Sequence, residues 1–171
     1  MSDTGPRDGP PSIVVAVESR QPDAVLLQAA ALANDLGAEL ICAHVNASRY
    51  PVEEHPDGTI FSVPFDPDLP EFGEEEFDPA LADHVRSVLG PLNVPYTLRA
   101  LAGDPARALG HLADTVGARL IVVGTHPPGL RRGIHEFING SVAVHLAHRQ
   151  HRPVVVIPLS PVTGEGRLPW E

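Results

Sequence analysis

Short runs of consecutive apolar residues alternate along the chain with stretches whose apolar positions recur every three or four residues. Ser12 to Glu18 reads Ser-Ile-Val-Val-Ala-Val-Glu, β-branched, too short for a globular helix and apolar without alternation, as in a strand covered on both faces. Val25, Ala29, Leu32 and Leu36 then fall at helical spacing, with Gly37 where a helix stops. Leu40 to Val45 repeats the buried-strand pattern, and the two strands are expected to pair in parallel. Asp78-Pro79 supplies a cap and a first-turn proline for a second helix carrying Leu81, Val85 and Val88 and ending near Gly90. Val94 to Leu101 predicts a third strand, and Gly103-Asp104-Pro105 opens a third helix with Leu109, Leu112, Ala113 and Val116 as its buried stripe. Leu120 to Val123 predicts a fourth strand, about Ser141 to Gln150 a fourth helix, and Pro153 to Ile157 a fifth strand. Strands alternating with helices in this way specify an α/β fold with an open, doubly wound, parallel five-stranded sheet.

The pattern breaks between Asn46 and Phe77, where prolines (Pro51, Pro56, Pro64, Pro67, Pro70) accompany an acidic run through Asp66, Asp68, Glu71, Glu74, Glu75 and Glu76. Residues 46–77 are therefore expected to form a long acidic, proline-rich loop, either a solvated excursion or a surface for a partner or cation. The expected organisation is a tail over 1–11, one domain over 12–159 and a Pro- and Gly-rich C-terminal tail over 160–171, in which Trp170 is the residue able to dock.

Composition narrows the chemistry. A formal net charge of -10 opposes binding to nucleic acid and to anionic membrane surfaces, and no stretch approaches the roughly twenty apolar residues of a membrane span. The start, Met1 to Pro11, has no basic region followed by an apolar one, so a cytoplasmic location is expected. The single cysteine, Cys42, lies within an apolar strand, as a small core residue would. All 12 basic residues are arginines. Without lysine there is no P-loop and no Schiff-base chemistry, so a phosphate here must be met by arginine, histidine or backbone amides.

In open α/β sheets the ligand crevice lies beyond the carboxyl ends of the strands where the strand order reverses, which here brings Glu18-Ser19 towards Gly124-Thr125. Gly124, Gly129, Gly133 and Gly140 allow close backbone approach, the helix start near Ser141 offers unpaired N–H groups, and Thr125 and Ser141 add hydroxyls. The same glycines are also compatible with ordinary turns, and no Gly-x-Gly-x-x-Gly fingerprint occurs. His126 and His135 fall in this turn. His145, His148 and His151, spaced by three, fit either favourable interaction with a helix C-terminus or, less well, a metal site. There is no Gly-x-Ser-x-Gly elbow, and Glu18-Ser19-Arg20-Gln21-Pro22 is not the Ser-Gly-Gly loop of the pyrophosphatase-type adenylating enzymes.

Val-Ala-Val-Glu in the first strand, Gly-Ala-Glu-Leu-Ile-Cys-Ala-His-Val, Gly-Asp-Pro-Ala, Ala-Arg-Leu-Ile-Val-Val-Gly-Thr-His, Gly-Ser-Val-Ala and Arg-Pro-Val-Val-Val-Ile together resemble the universal stress protein family. The resemblance runs from Ser12 to Leu159 and implies a Rossmann-like sheet of the adenine nucleotide alpha hydrolase type, order 3-2-1-4-5. It implies a stress-response homodimer with little or no hydrolysis and, in one branch of the family, an ATP or ADP site with Mg²⁺. That branch carries Gly-x2-Gly-x9-Gly followed by Ser or Thr. Gly124 matches the first glycine, and Gly140-Ser141 the last glycine and its hydroxyl partner. Pro127 replaces the second glycine, and the stretch to Gly140 is three residues longer, within Ile134 to Asn139. Proline has no N–H to give a phosphate. Carried over by position, Ala16, Val17, Glu18 and Leu40 would face adenine, and Glu18 stands where the family usually has Asp. Ser141, Val142 and Ala143 would take the phosphates, and Gly124, Thr125, His126, Gly129 and Gly140 would line the turn. Arg131 and Arg132 would either replace the lost donor or lie on a solvated loop. A member that has lost the nucleotide and acts as a protein-interaction module is the alternative. The edge strand Val154 to Ile157 is too apolar to stay open to water, and pairing across a two-fold axis is the dimer that the resemblance implies.

Overall fold

A computed structural model describes residues 9–66, 68, 72–125 and 139–159, with 139–141 described in backbone only. Five strands, β1 (Ser12–Ala16), β2 (Glu39–Asn46), β6 (Tyr96–Ala102), β7 (Leu120–Gly124) and β8 (Val154–Ile157), form one parallel sheet in the order β6-β2-β1-β7-β8. Counting only these five, the order is 3-2-1-4-5. The run in β1 is apolar throughout because successive side chains serve two cores. Ile13, Val15 and Val17 pack with α1 (Ala24–Leu36) and α2 (Pro79–Leu89), whereas Val14 packs with α3 (Pro105–Val116) and α4 (Asn139–Arg149). In β2 the same alternation sends Leu40 and Cys42 to the first layer and Ile41 and Ala43 to the second.

Helix ends follow the capping chemistry of the sequence. Gly37 and Gly117 close α1 and α3 in the left-handed region at φ 60° and 64°, a conformation that costs a side chain about 1 kcal/mol or more. Asp78 accepts from the Leu81 N–H at 2.7 Å and Asp104 from the Arg107 N–H at 2.9 Å, each followed by a proline whose missing N–H is not needed there. Among the described residues no helix is long and apolar enough to cross a membrane.

The segment expected to be an irregular loop is instead a second, antiparallel sheet, with β3 (Arg49–Glu54), β4 (Ile60–Pro64) and the two-residue β5 (Gly73–Glu74) in the order β3-β4-β5. Its prolines are compatible with pairing because Pro51 sits on the edge strand β3 at a register shift and Pro64 ends β4. Asp57-Gly58 turns the hairpin. Gly58 adopts φ 86°, its N–H donates to the His55 carbonyl at 2.8 Å, and Asp57 accepts from the Thr59 N–H at 2.9 Å, which holds the Asp57 carboxyl below its usual range. A charged network anchors this sheet. Arg49 Nε donates to Ser62 Oγ at 2.6 Å and lies 2.8 Å from Glu75 Oε1, Ser62 bonds Glu75, and Asn46 at the end of β2 donates to Glu75 Oε2 at 3.4 Å. Ser62 is fully buried and the Glu75 side chain 6% exposed, so a carboxylate that the sequence presents as one of an acidic run is held inside the fold by a guanidinium.

Candidate functional site

The chain steps from β1 outwards to β2 and β6, then returns across β1 to β7 and β8, so strand order reverses between β1 and β7. A crevice opens at the carboxyl end of that seam. Its walls are Ala16, Val17 and Glu18 beyond β1, Ala43 and Val45 of β2, Val123 and Gly124 of β7, Pro105 and Leu109 of α3, and Val142 of α4, with Gln21 on the rim; the recess holds about 40 Å³.

Backbone bonds define its floor. The Val17 N–H donates to the Ala43 carbonyl at 2.9 Å, and His44 Nδ1 donates to the Val17 carbonyl at 3.0 Å, so β2 holds the end of β1 by both groups of one residue. His44 also meets the Phe77 ring edge-on at 6.2 Å. Beyond Glu18 the chain turns sharply, with Arg20 at φ 67° and the Gln21 N–H donating to the Glu18 carbonyl at 3.2 Å. On the opposite wall the Thr125 N–H donates to the Ile157 carbonyl at 2.9 Å, and Thr125 Oγ1 accepts from the Leu159 N–H at 2.8 Å. The Thr125 hydroxyl thus ties β7 to β8 and keeps its proton for a further acceptor.

Of the residues expected to line the site, Ala16, Val17, Glu18, Gly124 and Val142 are brought together here. Thr125 adjoins them, and Ala143 packs on the α3–α4 side of the sheet, one residue along α4 from Val142. Gly140 and Ser141 lie in the first turn of α4, whose leading N–H groups have no partner within the helix. Leu40 is not with them. It pairs with Ile13 at the amino-terminal end of β2 and is fully buried among α1 and α2, whereas the strand reaches the recess through Ala43 and Val45. In a parallel pair both strands finish at the same end, and Ala16 pairs with Ala43. His126, Pro127, Gly129, Arg131, Arg132 and His135 lie outside the described residues, as do 1–8 and 160–171.

Gln21 and Val45 line the site without being singled out by the sequence, and His44 acts only by holding the end of β1. The signal for Val45 was strand length, because β2 runs to Asn46, three residues past the pairing of Ala43 with Ala16. His145 and His148 are exposed on α4, and among the described residues no three metal-ligating side chains come together. Cys42 is fully buried mid-strand, and burial pushes its thiol up to about 12, so it is not a nucleophile in the folded protein.

A two-layered, doubly wound sheet with its crevice at the switch point defines the Rossmann-like class of α/β proteins. The sequence matches that of the universal stress protein family over residues 11–158, and the chain belongs to that family. No curated protein matches it in sequence. Among solved structures, a universal stress protein from Archaeoglobus fulgidus is similar at 22% identity and TM-score 0.56, over 86% of this chain and 93% of that one. A universal stress protein in complex with cAMP is similar at 23% identity and TM-score 0.56, over 88% and 98%. A universal stress protein from Archaeoglobus fulgidus in complex with dAMP is similar at 23% identity and TM-score 0.54, over 86% and 97%.

Proposed function

We propose that this protein binds an adenine nucleotide between the carboxyl ends of β1 and β7, as a regulatory ligand of a cytoplasmic, homodimeric stress-response protein with little or no hydrolysis. The observation that carries this reading is the convergence of Ala16, Val17, Glu18, Gly124 and Val142 on one recess at the strand-order reversal, next to the first turn of α4. The chemistry of the lining suits the ligand. Val17, Ala43 and Val45 offer an apolar surface to a flat base, Glu18 and Gln21 offer polar groups to its edge or to a ribose, and the α4 amides offer donors to phosphate. Two solved relatives carry cAMP and dAMP, in keeping with adenine on a sugar bearing one phosphate as the common denominator. Magnesium would accompany the phosphates of such a ligand.

The homodimer would form through β8, which among the described residues pairs only with β7 and leaves Val156 43% exposed on the sheet edge. Thermal denaturation of the full chain with ATP, ADP, AMP and cAMP, with and without Mg²⁺, tests the nucleotide. A ligand at a hundred times its Kd adds about 2.7 kcal/mol of stability. No shift with any of the four at millimolar concentration would overturn the reading and favour a protein-interaction module, the alternative supported by Pro127 and the lengthened glycine turn.

A further inference from the structure

A second cleft among the described residues is much roomier than the recess at the strand ends. It lies between the β3–β4 hairpin and α3, holds about 580 Å³ and falls within the roughly 300–1,000 Å³ of small-molecule sites. Its floor is apolar, with Ile60, Leu101 and Leu112. Its rim carries Tyr50, Val52 and Phe65, the three most exposed large apolar side chains among the described residues at 58%, 58% and 61%. Tyr50 and Phe65 meet edge to face at 6.1 Å, a preformed aromatic wall. Exposed apolar side chains gathered around one concavity mark a binding surface.

Charge at the rim selects the ligand. Each acidic side chain there already has a partner: Glu54 lies 2.6 Å from His111 Nε2, Glu53 lies 3.2 Å from His55, Asp57 accepts from the Thr59 N–H and Asp104 caps α3. Arg99 donates to the Asp57 carbonyl at 3.0 Å. Arg107 lines the cleft, and its guanidinium makes no hydrogen bond or ion pair to any described residue. The Glu54–His111 pair spans from hairpin to helix and the Arg99 contact closes the hairpin tip onto β6, so the space is bounded as for a compact molecule, not an extended chain.

We propose that this cleft is a second ligand site, one for a small amphipathic carboxylate whose apolar body lies on Ile60, Leu101, Leu112 and the Tyr50–Phe65 wall and whose anion meets Arg107. It is separate from the strand-end recess. Pro105 and Leu109 of α3 face the recess, whereas Arg107, Ala108 and His111 face the cleft.

Isothermal titration calorimetry of the full chain with 2-naphthoate and with decanoate tests this. Saturable binding of one molecule per chain is expected, with the negative heat-capacity change of apolar burial. Arg107→Gln should weaken naphthoate about tenfold, as loss of a hydrogen bond to a charged group does, and leave 2-naphthylmethanol unchanged. Ala108→Phe, shown to be folded by circular dichroism, should abolish both, and amide chemical-shift changes in the unmutated protein should centre on Leu101 and Leu112. The proposal fails if neither acid gives saturable heat, if binding survives Ala108→Phe, if naphthylmethanol binds as tightly as naphthoate, or if ATP displaces the probe.

Discussion

Gly124 ends β7 at the recess, and its surroundings demand glycine before any ligand arrives. A methyl group on its α-carbon would lie 2.8 Å from Val25 Cγ2, 3.1 Å from Leu159 Cδ1 and 3.2 Å from Gln21 Nε2. The residue is outside the left-handed region, so the penalty of Gly124→Ala is steric. Gln21 can swing away, but Val25 is fully buried on α1 and cannot. Overpacking of this kind costs about 1–3 kcal/mol. For a chain of this size each kcal/mol lowers Tm by roughly 2–4 °C. Calorimetry and urea denaturation at one fixed protein concentration, which removes mass-action effects of any dimer, measure the loss. Val25→Ala removes the clashing methyl, so the double variant should be less destabilised than the sum of the two single variants by about 1 kcal/mol or more. Additivity within about 0.5 kcal/mol would refute the packing account. Unchanged stability in Gly124→Ala together with a lost nucleotide response would instead assign this glycine to ligand approach.

Glu75→Ala removes the buried carboxylate shared by Arg49, Ser62 and Asn46 and should destabilise the protein by about 2–4 kcal/mol in urea denaturation; adding Arg49→Met should recover part of it, and no recovery would refute the buried-pair account. Cys42 should be unreactive towards a disulfide reagent at pH 8 in the native protein and reactive once unfolded. Burial pushes its folded thiol from an ordinary 9.0 up to about 12, so the unfolded state loses its proton first. This contribution to stability, complete below pH 9, is therefore lost as pH rises towards 12. Cys42→Ala should flatten that part of the stability–pH curve, and an identical slope would contradict it. Val156→Glu places a charge on an exposed edge position at small cost to the monomer, and should convert a dimer to a monomer by light scattering; an unchanged mass would exclude β8 as the interface.

Much of the fold was legible because its determinants are local. The β1 run serves two cores, and the Asp78-Pro79 and Asp104-Pro105 caps with Gly37 and Gly117 mark helix ends within a residue or two. The antiparallel sheet between Arg49 and Glu74 was not legible because prolines obscure its alternation, although Asp57-Gly58 is a strong hairpin dipeptide. Its stability also depends on Glu75, Ser62 and Asn46, which are partners only in space.

By itself the sequence determined a parallel α/β sheet, its switch point, its family and the absence of lysine chemistry, since periodicity, capping and composition act over a few residues. Tertiary structure alone decided that Val45 and not Leu40 reaches the recess, because strand register sets which end of β2 meets the end of β1. It also decided that the hairpin closes over α3 to form the larger cleft. Pro51 approaches within 3.0 Å of a Cβ position at Gly103, whose φ of 96° and missing side chain let the two layers meet, and no local pattern encodes that approach.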